Sequence, residues 1–180
     1  MMKKQKTVIL GVSASIAIYK ACDLIRKLKD EGFEVKVVIT PDAKELIRPI
    51  VFQSLSGNQV YEEMFGPSGN WEIEHISLAD EADLVLIAPA TANIIGKVAS
   101  GINDNLLTCV ISATKAKVIF CPAMNENMYE NKITQANIAK LKSFGYRFIG
   151  PVKGKLACGK SGSGCLAAID EIVKAVKKNL

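Results

Sequence analysis

The chain has one histidine, one tryptophan and, among five cysteines, no pair spaced as CxxC. Thiols odd in number and irregular in spacing (Cys22, Cys109, Cys121, Cys158, Cys165) exclude a zinc ribbon and a dithiol redox motif, so no metal site is expected. Cys22, Cys109 and Cys121 lie in apolar patterns and read as small core residues. No apolar run approaches a membrane span, and the N-terminus lacks the hydrophobic region of a secretory signal. No membrane partner is therefore expected, and a cytoplasmic location with reduced thiols is. Basic residues interleaved with aromatics are also missing. The net charge of +5 draws on Lys3, Lys4, Lys6, Lys177 and Lys178 near the two ends, which read as solvated termini, so no nucleic-acid partner is expected.

What the chain does have is apolar content, 49% hydrophobic residues with a mean hydropathy of +0.19 over 180 residues. That suits one domain with more apolar surface than a monomer needs, and points to an oligomer. Apolar runs at 7–11, 34–40, 83–88, 117–121 and 146–149 read as strands, and helical spacing runs through 15–31, 93–100, 105–113, 132–144 and 167–178. The alternation predicts a single doubly wound α/β domain, Rossmann-like or flavodoxin-like, with a parallel sheet and helices on both faces.

Folds of this kind bind ligands beyond the carboxyl ends of their strands. The first turn there, Gly11 to Ile16, offers small residues and hydroxyls suited to a phosphate, yet it matches neither GxGxxG nor GxxxxGK[ST], and a Ser N-cap explains it equally. The next turns carry Thr40-Pro41-Asp42 and Pro89-Ala90-Thr91-Ala92-Asn93. The fourth strand is expected to stop at Pro122, followed by Ala123-Met124-Asn125-Glu126-Asn127-Met128. Asn125 is a neutral hydrogen-bonding group on an apolar rim, able to hold an anion without neutralising it. A plain helix cap is the competing reading. Together the four turns make a polar rim over an apolar floor, as in a cofactor pocket.

His75, just ahead of a helical turn, is either structural or the only source of imidazole chemistry. Cys158 lies among Gly154, Gly159, Gly162 and Gly164, a composition that predicts a mobile flap over 153–165. Its thiol, flanked by lysines, is either reactive or incidental.

Ser13-Ala14-Ser15-Ile16-Ala17, His75, the run from Ala88 through Asn93 and Gly96-Lys97 to Asp104-Asn105-Leu106-Leu107-Thr108, Pro122-Ala123-Met124-Asn125-x-x-Met128 and Leu156-Ala157-Cys158-Gly159 follow one another in a familiar order. In that order and spacing the chain resembles the homo-oligomeric flavin-containing cysteine decarboxylases. Within that family it is most similar to the branch that converts 4′-phosphopantothenoylcysteine to 4′-phosphopantetheine in coenzyme A biosynthesis. The resemblance implies FMN held by Ala14, Ser15, Ile16, Thr40, Asp42, Thr91, Ala92, Asn93, Ile94 and Ala123. It implies substrate contacts from Asn125, Met128, Ala157 and Cys158, and catalytic roles for His75, Asn125 and Cys158.

The implied chemistry is flavin oxidation of the thiol-bearing carbon to a thioaldehyde, loss of carbon dioxide, and re-reduction of the enethiol. Asn125 would hold the carboxylate, His75 accept or relay a proton, and Cys158 return one. The resemblance also implies trimers, or assemblies of trimers, with the flavin at a subunit contact. Relatives are often fused to a ligase; ending at Leu180, the chain reads as a stand-alone decarboxylase domain over 1–180. Tyr129 stands where relatives commonly carry Trp, and Cys165 adds a second thiol at the end of the flap. Three alternatives share the fold. A peptidyl-cysteine decarboxylase differs in its substrate clamp, and a flavin-binding regulatory subunit needs no catalytic residue. A flavin prenyltransferase should lack the cysteine flap and the PxMNxxM motif.

Overall fold

A computed structural model describes residues 5–64, 73–157, 159 and 161–180. Its centre is a pair of strands that water does not reach. β1 (Thr7–Val12) is buried in all but its first residue and β4 (Leu84–Ala90) along its whole length. Strands so apolar are stable only when helices cover both faces of a parallel sheet. β2 (Glu34–Ile39), β3 (Val60–Tyr61), β5 (Lys117–Pro122) and β6 (Arg147–Phe148) complete it in the order β3-β2-β1-β4-β5-β6, every pair parallel. This is the Rossmann strand order, and it reverses between β1 and β4, where ligands of such sheets bind.

Side-chain alternation divides the core in two. Val8, Leu10, Val12, Leu84, Leu86 and Ile119 pack under α1 (Lys20–Asp30), α2 (Pro49–Ser56) and α8 (Ile169–Asn179). Ile9, Val85, Ile87 and Phe120 face α3 (Glu74–Glu81), α4 (Ala92–Ala99), α5 (Leu106–Ala113) and α7 (Lys132–Ser143).

Several local features differ from expectation. The first helix begins as a tight 3-10 turn, Ile16–Tyr19, and a second such turn spans Pro41–Glu45. α2 and the two-residue β3 carry too little periodicity to be seen in sequence. Pro122 does not end the ladder. It pairs with Ala90, and the amide of Ala123 donates to the Ala90 carbonyl at 3.0 Å. A proline removes only its own N–H, so the next residue carries the pairing on.

The glycine-rich segment expected as a flap contains an antiparallel hairpin of β7 (Val152–Lys155) and β8 (Ser161–Cys165); Cys158 lies outside the described residues. Of the cysteines expected in the core, Cys121 is fully buried and its thiol is pushed up by desolvation. Cys22 and Cys109 are only half-buried, though burial raises both thiols.

Candidate active site

The site is built where β1, β4 and β5 end. Gly11 serves packing rather than a ligand: a Cβ there would meet Leu107 Cδ1 of α5 at 2.5 Å. Ser13, almost wholly buried, also looks inward. Its Oγ donates to the Pro89 carbonyl at 2.7 Å and accepts the amide of Thr91 at 3.0 Å. One hydroxyl thus ties the end of β1 to the end of β4 across the switch point. Ser13→Ala would strand the Thr91 amide in a dry site, and is expected to destabilise the fold by about 1–3 kcal/mol in urea denaturation.

Three residues on this rim cap helices. Ser15 Oγ accepts from the Ala17 amide at 3.3 Å and Thr91 Oγ1 from the Ile94 amide at 3.3 Å. Asn125 Oδ1 accepts from the Asn127 amide at 2.9 Å, starting α6 (Glu126–Glu130). Cap and ligand-binding readings of these residues are therefore compatible. Each spends an oxygen lone pair on its helix and keeps a donor, O–H or NH₂, for something else. Among the described residues, the Asn125 NH₂ makes no hydrogen bond of its own.

The hairpin closes one wall. The Met124 amide donates to the Gly164 carbonyl at 3.0 Å, and the Ser163 amide donates to the Glu126 carboxylate at 2.8 Å. The approach is too close for side chains on β8: a Cβ at Gly164 would lie 2.1 Å from the Met124 carbonyl oxygen, and one at Gly162 2.5 Å from the Glu126 carboxylate. These two glycines exist for contact.

Two adjoining cavities result. The larger, about 570 Å³, is lined by Ala14, Ser15, Ile16, Thr91, Ala123, Met124, Asn125, Met128 and Ala157, with Tyr19, Lys20, Lys155, Leu156, Cys165 and Leu166 as well. The smaller, about 340 Å³, is lined by Thr40, Asp42, Asn93 and Ile94 and shares Ala14, Thr91 and Met128 with the first. At its edge Lys97 Nζ lies 2.6 Å from Asp104, and that hydrogen-bonded ammonium holds the carboxyl below the usual carboxylate range.

Of the residues expected from sequence, His75 and Ala92 line neither cavity. His75 sits half-buried in the first turn of α3, which packs along α5, and Ala92 packs into the core behind the rim. Lys155 belongs to the lysines of the 153–165 segment that sequence offers as anion-binding candidates, whereas Lys20 was not anticipated. The helical periodicity that includes Ile16, Ala17 and Lys20 was the available signal for Lys20. Small side chains at Ala14 and Ala123 leave a flat apolar floor, and the donors of Ser15 and Thr91 suit the carbonyls and phosphate of a flavin nucleotide, so the residues present fit FMN.

Comparison with known proteins agrees. The model of the Flavoprotein family matches residues 1–180. The chain is 47% identical over 177 residues to a probable phosphopantothenoylcysteine decarboxylase of Streptococcus mutans, covering 97% of this chain and 99% of the relative. It is 45% identical to the coenzyme A biosynthesis bifunctional protein CoaBC of Bacillus subtilis, covering 99% of this chain but only 44% of that protein. Among solved structures, a PPC decarboxylase mutant complexed with pantothenoylaminoethenethiol superposes with a TM-score of 0.86 at 30% identity, covering 97% of this chain and 98% of the other. Matched over residues 1–180 in this way, the chain belongs to the Flavoprotein family.

Proposed function

We propose that this protein is an FMN-dependent decarboxylase that converts 4′-phosphopantothenoylcysteine to 4′-phosphopantetheine in coenzyme A biosynthesis. The observation that carries the reading is Asn125. Its oxygen is committed to its helix, and its NH₂ is left as a donor at a cavity with a flavin-compatible floor. FMN, when bound, supplies the reversible two-electron chemistry that a redox-neutral decarboxylation of a cysteine amide needs.

The chain's own residues do the rest. Asn125 Nδ2 grips the substrate carboxylate without a full charge. A cationic partner would stabilise the charged ground state more than a transition state in which the charge disperses. Met124, Met128 and Leu156 keep water from the carboxylate. Cys158, next in sequence to the cavity-lining Ala157, is assigned proton donation to the enethiolate.

His75 is assigned the proton-accepting role. Lining neither cavity of its own chain, it is proposed to reach the site of a neighbouring copy, in a trimer or an assembly of trimers with FMN at the subunit contact. Ile73 and Ile76 on either side of it, 62% and 43% exposed, support such a contact. Free thiols at Cys22, Cys109, Cys121 and Cys165 suit a cytoplasmic enzyme, and among the described residues no helix is long and apolar enough to cross a membrane.

The test is direct. Purified protein should carry a flavin spectrum and release carbon dioxide from 4′-phosphopantothenoylcysteine. A colourless protein that takes up no added FMN sinks the reading. So does a yellow one that decarboxylates only a peptide ending in cysteine.

A further inference from the structure

The larger cavity is electrostatically one-sided. It is lined by two ammonium groups, Lys20 and Lys155, and among its described residues by no carboxylate. The smaller cavity holds Asp42 and Asp104 against a single cation, Lys97, which already pairs with Asp104. Lys6, Lys27, Lys36, Lys44, Lys97 and Lys177 all have acidic partners. Lys20 and Lys155 enter no ion pair among the described residues. They also come from separate elements, one the first residue of α1 and the other the last of β7. Such a pair suits an anion held from two walls.

We propose that Lys20 and Lys155 clamp the terminal phosphate of the substrate, an assignment that rests on the decarboxylase reading above. That substrate carries two anionic groups with opposite requirements. The carboxylate must shed its charge during the reaction, and a neutral amide holds it. The phosphate keeps its charge throughout, so cations binding it stabilise ground and transition states equally and set affinity and selectivity. Lys20 lies roughly 9 Å along the helix axis from Ser15, from rises of about 2 Å per 3-10 residue and about 1.5 Å per α-helical residue. Its charge is therefore set apart from the capping turn at the base of the cavity. A peptide substrate has no phosphate, so the clamp is also what would distinguish the two substrate classes.

Calorimetric titration of the FMN-loaded protein with 4′-phosphopantetheine and with pantetheine tests this without turnover. The wild type is expected to prefer the phosphorylated ligand by roughly 30-fold, the scale of two solvent-screened ion pairs. In a Lys20→Gln, Lys155→Gln double variant the ratio should fall to near one, and Lys20→Arg, Lys155→Arg should restore most of it. An unchanged ratio in the glutamine variant overturns the clamp. A variant that sheds FMN and keeps its ratio also overturns it, because the lysines then hold the cofactor's phosphate. A wild type with no preference overturns the clamp as well, while carbon dioxide release from 4′-phosphopantothenoylcysteine shows independently whether the decarboxylase reading stands.

Discussion

Asn125→Asp is expected to lower carbon dioxide release from 4′-phosphopantothenoylcysteine by roughly 1,000-fold, since placing like charges together costs several kcal/mol and each 1.4 kcal/mol is tenfold. The substitution is a clean probe because of the cap. An aspartate oxygen can still accept from the Asn127 amide, now at 2.9 Å, so α6 should start where it does and FMN should stay bound. Only the NH₂ is lost, replaced by an acceptor that repels the carboxylate. Turnover and flavin absorbance measured on the same preparation separate the two roles. Loss of FMN together with activity would make Asn125 a structural residue, and full activity would remove it from the substrate clamp.

Gly164→Ala is expected to be the most damaging glycine-to-alanine change among the described residues. Its Cβ would lie 2.1 Å from the backbone oxygen of Met124, with no flexible side chain able to give way. Either β8 lifts off and the Met124–Gly164 hydrogen bond opens, or the chain at Met124 moves and carries Asn125 with it. Overpacking of this kind typically costs about 1–3 kcal/mol. That is enough to undock a hairpin held to α6 by the Glu126 contact without unfolding the sheet. Hydrogen exchange should speed at the Met124 and Ser163 amides while β1 and β4 stay protected, and turnover should drop at least roughly 100-fold as the wall bearing Leu156 and Ala157 leaves. Normal exchange and turnover would show that the backbone absorbs the clash.

Much of this architecture was legible in the residues. Long apolar strands with helices between them leave few solutions other than a covered parallel sheet, and β1, β2, β4 and β5 lie within two residues of where periodicity places them. The features that escaped are short or non-local. β3 has two residues, and α2 has eight with weak amphipathicity. Where composition predicts a mobile flap, β7 and β8 pair as a hairpin, and glycine serves mobility and close approach alike. Which one applies at Gly162 and Gly164 depends on Glu126 and Met124, more than 35 residues away in the chain.

The sequence by itself determined the fold class, the positions of the rim residues at the strand ends, and the presence of a neutral amide among apolar neighbours. Those follow from local period and side-chain chemistry, which a chain carries with it. Only the tertiary structure decided which atom of each rim residue is free. Ser13 turns its hydroxyl inward to Pro89 and Thr91, while Ser15, Thr91 and Asn125 spend one lone pair on a helix and keep a donor for the cavity. Capping and binding compete for the same few polar atoms, and which atom wins is settled by partners that come together only when the chain folds.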